Sequence, residues 1–194
     1  MRALKLLLPL SVALSLSACG VNTIPTKEES AKASWGEVQN QYQRRADLIP
    51  NLVATVQGYA KQEKDVLVGV TEARAKATSV NVTTGDLSNP AKMAEYQKAQ
   101  DGLSQSLGRL MVVVEKYPEL KSDQNFLALQ SQLEGTENRV AIARRDFNES
   151  VRIYNTEIRT FPSIVAAKVI YGSEPMTPFQ ATAANADSAP KVTF

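Results

Sequence analysis

AKASWGEVQNQYQRRADLIPNLVATVQGY, residues 31–59, decides the fold. Its apolar side chains fall at Ala31, Trp35, Val38, Tyr42, Ile49, Leu52, Val56 and Tyr59, in steps that gather them on one face of a helix. The ladder resumes at Val66, Val70, Ala73 and Ala77, and two of its rungs, Arg45 and Glu63, are charged. A charge on a helix seam fixes register or partner at a cost in stability. One or both are therefore expected to pair inside the fold with Arg144, Arg145 or Glu137.

The whole stretch as a single rod would be about 75 Å long, against about 40 Å and about 58 Å for the helices that follow it. A break between Asp47 and Pro50 would equalise them, because proline is tolerated in a first turn and Asp47 can cap the helix that follows. The ladder stays in phase across Pro50, as a merely kinked helix would require. The lengths favour the break.

Downstream, Ser79 to Asn89 is rich in Thr, Asn, Ser, Gly and Asp and reads as a loop. Asn89 and Pro90 then supply a cap and a first-turn residue for a helix with Tyr96, Leu103, Leu107, Leu110, Val114 and Tyr117 on one stripe. Pro118 ends it. The next helix starts near Ser122 and Asp123 and carries Phe126, Leu129, Leu133, Val140, Ala143, Phe147, Tyr154 and Ile158. It ends at Phe161-Pro162, and a short apolar helix from Ile164 to Ile170 follows before Gly172. The fold expected is all-α, an antiparallel four-helix up-and-down bundle of long helices. Residues 28–172 form the domain, and residues 173–194, mostly Ala, Thr, Ser, Pro and Asn, read as a disordered tail.

The chain contains no histidine. That removes Ser-His-Asp and Cys-His nucleophilic systems, histidine-held zinc and the Glu-x-x-His di-metal sites of helix bundles. No phosphate-binding loop, dinucleotide fingerprint or nucleophile elbow is present either. No enzymatic activity, metal or cofactor is expected. What remains is charge: Arg44, Arg45 and Asp47 beside Asn51; Glu72 and Arg74; Glu137, Asn138, Arg144, Arg145 and Asp146. These either form a polar pocket in which arginines clamp an anion or pair across solvated helix faces, which is the commoner arrangement. Trp35 reads as a core or interface anchor near the membrane-proximal end.

At the N-terminus, Arg2 and Lys5 precede an apolar run from Leu6 to Leu16, then small residues before Cys19. This is the layout of an export signal. Its apolar core of about 11 residues is short of the roughly 20 that a membrane-crossing helix needs. Leu16-Ser17-Ala18-Cys19 resembles the lipobox of bacterial lipoproteins. That resemblance implies a signal peptide over residues 1–18, cleavage before Cys19, and acyl chains on that cysteine. Residues 19–27 then form the lipidated end and a tether, and the partner at this end is the lipid bilayer. Gly20 in place of aspartate favours, in a Gram-negative cell, the outer membrane facing the periplasm. Arg2 and Lys5 leave with the signal, so twenty basic side chains balance twenty acidic ones in the mature chain. No basic excess is left to attract nucleic acid.

Arg44-Arg45-Ala46-Asp47-Leu48-Ile49-Pro50-Asn51-Leu52-Val53, with Trp35 upstream and Val70-Thr71-Glu72-Ala73-Arg74-Ala75 downstream, resembles the signature of the LemA family. Glu137-Asn138-Arg139-Val140-Ala141-Ile142-Ala143-Arg144-Arg145-Asp146-Phe147-Asn148, Tyr154-Asn155 and Phe161-Pro162 match its second half in order. The resemblance spans about residues 33–172. It implies a helical bundle on a membrane-attached bacterial protein, and it supplies no reaction. Family members commonly keep an uncleaved membrane helix, from which the short signal and Cys19 depart.

Two functions follow. The favoured one is a lipid-anchored envelope protein that binds another protein or assembles with itself. The alternative is a small-ligand-binding module or atypical hydrolase that uses the arginine and carboxylate cluster as its pocket.

Overall fold

Pro50 lies inside a helix. The computed structural model describes the backbone of residues 2–180 and the side-chain surroundings from Asn22 onward, and its first helix, α1, runs unbroken over Arg2–Tyr59. The break expected between Asp47 and Pro50 is absent; the chain turns instead at Ala60 to Glu63, before α2 (Lys64–Ser79). Proline has no N–H, so within a helix it leaves the carbonyl four residues earlier without its donor. That carbonyl belongs to Ala46, and the Arg74 Nε on α2 donates to it at 2.7 Å. A side chain from the neighbouring helix thus replaces the missing backbone bond, and α1 continues. The in-phase ladder was the better guide here than the helix lengths.

After a loop containing a 3-10 turn at Thr84–Asp86, α3 spans Pro90–Val114. Asn89 caps it as expected, accepting from the N–H groups of Ala91 and Lys92. A short α4 (Pro118–Lys121) leads to α5 (Gln124–Glu157), whose cap is Asp123, accepting from the Phe126 N–H. A cis Phe161–Pro162 peptide precedes α6 (Ser163–Ala166) and a π-helical turn, Ala167–Tyr171. The fold is all-helical, with no strand among the described residues.

Residue pairs fix how these helices run. Thr23 meets Glu157, Ser34 meets Ser150, Arg45 meets Glu137 and Tyr59 meets Asp123, so α1 and α5 lie antiparallel along most of their length. Helix α2 folds back along α1, as Arg74 on Ala46 shows, and α3 along α2, as Gln100 on Ala77 shows.

Two hydrophobic cores result. One gathers Ile24, Trp35, Tyr42, Tyr96, Phe147 and Tyr154 with their neighbours; the other holds Ile49, Leu52, Leu103, Leu110, Phe126 and Leu133 with theirs. The polar rung Arg45 lies between them along α1.

Two terminal expectations change. The tether is not free: α1 includes residues 19–27, and Ile24 is fully buried in the first core. An apolar side chain inside a helix that shares a core with α5 and α6 gains more by packing than by remaining in a linker. The tail is not disordered over 173–180 either, because Met176 and Phe179 are buried in that same core. Residues 181–194, the rest of the expected tail, lie outside the described residues.

Glu157, at the end of α5, ties that end to the body of α1 and the start of α6. It accepts from Thr23 Oγ1 at 2.7 Å and from Ser163 Oγ at 2.6 Å. Those donors, Ser163 foremost, hold its pKa below the usual 4.5. A carboxylate with a depressed pKa contributes stability that is complete above its unfolded value and is lost as pH falls through the folded one. Thermal melts of the wild type across about pH 5 to 3 should therefore show a decline that Glu157→Gln reduces.

The proline bypass gives a second expectation. Arg74→Met should cost about 1–2 kcal/mol, the usual penalty for an orphaned buried acceptor. In a Pro50→Ala background, where the backbone N–H returns, the same change should cost well under half as much. Urea midpoints of the four chains measure this coupling, and additive costs would show that Arg74 does not substitute for the proline.

Candidate functional site

The Arg45 guanidinium is 1% exposed, in the middle of the molecule. It reaches two of the other long helices directly, α3 and α5. Nη1 donates to Ser104 Oγ on α3 at 2.9 Å and to Glu137 Oε1 on α5 at 3.0 Å. Nη2 donates to Oε1 of Gln100 at 2.5 Å and to its backbone carbonyl at 3.3 Å. The Gln100 amide nitrogen in turn donates to the Ala77 carbonyl near the end of α2, at 3.1 Å. Four helices thus meet in one connected polar layer. The Arg45 Nε has no hydrogen-bond partner, and the guanidinium carbon sits 5.0 Å from the Tyr42 ring centre, a cation–π distance. Burial pushes the Tyr42 phenol upward, with Arg144 and Arg45 opposing.

An aromatic cluster adjoins this layer. Trp35 lies 5.3 Å from both Tyr96 and Phe147 and 5.8 Å from Phe179. Its indole N–H donates to the Val82 carbonyl, which also accepts from Gln39, so the loop after α2 is fastened to α1.

The candidate cluster divides among separate hydrogen-bond sets. Arg45 and Glu137 come together, as one of the pairings allowed for the seam charges. Glu63, the other charged rung, instead accepts from the Tyr117 hydroxyl at 3.1 Å. Arg74 serves Ala46. Arg144 stands 4.6 Å from the Phe179 ring centre and donates to the Gln180 carbonyl. Arg145 pairs with its neighbour Asp146 at 3.0 Å, and both are well exposed. Asp47 accepts from Gln43 on its own helix face. Arg44, Asn51, Glu72 and Asn138 are exposed.

A cleft of about 470 Å³ lies between α2 and α3, lined by residues including Lys76, Gln97, Lys98 and Asp101; one of about 230 Å³ beside Tyr42 is lined by Gln39, Gln43, Asn81 and Gln100. Arg44, Arg45, Arg144 and Arg145 line neither. No group of three His, Cys, Asp or Glu side chains among the described residues is placed to hold a metal.

The sequence carries a partial signal for the residues that complete the layer. Gln100 takes a rung of the α3 ladder between Tyr96 and Leu103, where an apolar residue is the norm. Ser104 carries no such mark. Asn148 and Asn155, seven residues apart, share a face of α5 and grip the 173–180 segment through its backbone. Amide side chains on a helix are ordinarily solvated, so spacing alone gives this role away only once the strap is seen.

These features define an all-helical protein built around a buried arginine junction and closed by a C-terminal strap. The chain belongs to the LemA family, whose model matches residues 34–194. It is 27% identical over 160 residues to magnetosome protein MamQ 2 of Paramagnetospirillum magneticum, an alignment that covers 73% of this chain and 58% of that protein. MamQ of Magnetospirillum gryphiswaldense is likewise 27% identical, over 158 residues, with the same coverage. Protein LemA of Metamycoplasma hominis is 24% identical over 124 residues, covering 64% of this chain and 52% of its own. The chain thus spans little more than half the length of these relatives.

The Arg45–Glu137 pair sets an expectation for stability. The Glu137 side chain is 39% exposed, so water reaches it and moderates the loss of a partner. Glu137→Ala should cost about 2 kcal/mol, below the 3–5 kcal/mol typical of a fully enclosed pair. Arg45→Ala should cost more, since it also strands Gln100 and opens a cavity. Chemical denaturation decides it; equal costs would mean that the carboxylate, not the amide network, holds the arginine.

Proposed function

We propose that this chain is a non-catalytic, membrane-anchored assembly protein of the bacterial envelope, held by acyl chains on Cys19, with its four long helices acting as one up-and-down bundle. The observation that carries the proposal is the continuity of α1. The helix that begins in the apolar N-terminal stretch runs directly into the first core, where Ile24 is fully buried. Cleavage before Cys19 leaves the acylated residue at the start of this helix. Ile24 lies five helical steps beyond Cys19, a rise of about 7.5 Å. The bundle then sits directly on the membrane surface with no slack linker.

Other features support the reading. No helix among the described residues is long and apolar enough to cross a membrane, which suits an acyl anchor. Several acyl chains give the stable attachment that one chain does not. The end of the bundle nearest Cys19 also carries exposed apolar side chains: Phe161 and Val169 are 84% and 79% exposed, with Val165 and Ile170 beside them. Glu157 binds both Thr23 and Ser163, so this surface flanks α1 around Thr23. Such a surface is suited to the headgroup region of a bilayer.

The absence of histidine and the engagement of Arg45, Arg74 and Arg144 in contacts between elements favour binding over catalysis. In a Gram-negative cell, Gly20 after the cysteine favours the outer membrane, facing the periplasm.

Metabolic labelling with radioactive palmitate, together with the mass of the mature protein, tests the anchor. The wild type should take up label and lose residues 1–18, and Cys19→Ser should do neither. An unlabelled wild type of full-length mass that still floats with membranes would replace the acyl anchor with an uncleaved helix.

A further inference from the structure

The segment that follows the π-helical turn is held by its backbone. Asn155 donates to the Met176 carbonyl at 2.8 Å and accepts from the Met176 N–H at 2.9 Å. Asn148 makes the same two bonds with Phe179, at 3.0 and 2.8 Å. Gln97 on α3 does so with Gln180, at 2.6 and 3.2 Å. Each amide uses one donor and one acceptor on a single residue, as a pairing strand would. Thr177 N–H reaches the Leu87 carbonyl at 2.8 Å, and Pro178 has no N–H to place.

The spacing is commensurate. Asn148 and Asn155 are two helical turns apart, about 10.5 Å, and three residues in polyproline II geometry span about 9.3 Å. Met176 and Phe179, three apart, both face inward and are buried, the period of that helix, and Pro175 and Pro178 suit it. Between α3 and α5 lies a built site for a Pro-Met-x-Pro-Phe segment. It has amides for the backbone, the Trp35 and Phe147 rings for the phenylalanine, and the Arg144 guanidinium 4.6 Å from the centre of that ring.

We propose that this groove is an extended-peptide acceptor site and that its occupant in the assembled protein is residues 175–180 of a second copy, exchanged for the chain's own. The proposal rests on the anchored-assembly reading and names its contact. The contacts described for residues 176–180 are made to α1, α3, α5 and the loop at Leu87, none of them sequence neighbours of the strap, so they transfer intact to another copy's strap. Gly172, with φ of +58° in the left-handed region that glycine adopts freely, stands where the strap leaves the domain. Exposed Glu174 and Pro175 follow as the connecting residues. Acyl chains confine the copies to a plane and raise the effective concentration of one strap at another groove. Exchange of an identical segment at such a hinge is a low-cost route to oligomers.

The test uses two full-length variants. One, Met176→Ala with Phe179→Ala, keeps the groove and loses the strap; the other, Asn148→Ala with Asn155→Ala, keeps the strap and loses the groove. A fluorescent peptide of residues 173–181 should bind the strap variant at least about tenfold more tightly than the wild type, whose groove is filled by its own tethered segment. Energy transfer between labelled copies reconstituted together in lipid vesicles should appear when the two variants are mixed. It should vanish when the groove variant also carries Phe179→Ala. Absence of peptide binding by a strap variant of normal helicity overturns the acceptor site. Peptide binding without transfer in the mixture overturns the second copy as occupant. Vesicle flotation of the same samples reports the anchor separately, so failure of that reading is distinguishable from failure of this one.

Discussion

One buried guanidinium organises this molecule. Arg45 stands between two hydrophobic cores, and no apolar side chain could satisfy what surrounds it: the Gln100 amide, the Ser104 hydroxyl and the Glu137 carboxylate on other helices. Arginine suits the position because its planar fork reaches several acceptors at once and is weakly hydrated for a cation, which lowers the penalty of burial. The layer fixes alignment more than it adds stability, since paired buried charges are often no better than a well-packed apolar substitute. A slide of one helix along another by a single turn would strand the cation in a dry interior. The two cores on either side are ordinary apolar packing and would tolerate such a slide far better.

Much of this was legible. The ladder from Ala31 to Ala77, the loop after Ser79, the Asn89 cap, the helix start near Asp123, and the short apolar helix after Pro162 are local patterns, and local patterns survive folding. Arg45 was legible as a charge on a seam, with Glu137 among its allowed partners, because a buried cation must find an anion or acceptors within reach. The failures share a cause. Pro50 reads as a helix breaker because one residue's missing N–H is visible in sequence, whereas the remedy comes from Arg74, 24 positions later on another helix.

The strap failed for the same reason. Residues 173–180 lack periodicity and look like linker, since their hydrogen-bond partners are the side-chain amides of Gln97, Asn148 and Asn155. Composition reports whether a segment can bury itself, and it is silent on whether other elements offer a groove lined with donors and acceptors. Ile24 is similar. One apolar residue beside Pro25 carries no helical signal, but its side chain reaches a core assembled from α5, α6 and the strap.

The strap and the start of α1 belong to one problem. Two distant segments close the same core: Ile24 enters it from α1, and Met176 and Phe179 from the strap. The helices alone leave Trp35 and Phe147 with an open side, which Phe179 covers. That side is filled by a segment gripped through backbone amides rather than by a fifth helix. A helix satisfies its own backbone and offers only side chains, whereas an extended segment must find external partners for every buried N–H and C=O. A groove that supplies those partners recognises a chain path, with specificity confined to the residues that point inward. Closure of this core is therefore separable from the Arg45 layer beneath it: the layer sets how the helices align, and the strap decides whether the aromatic end is sealed.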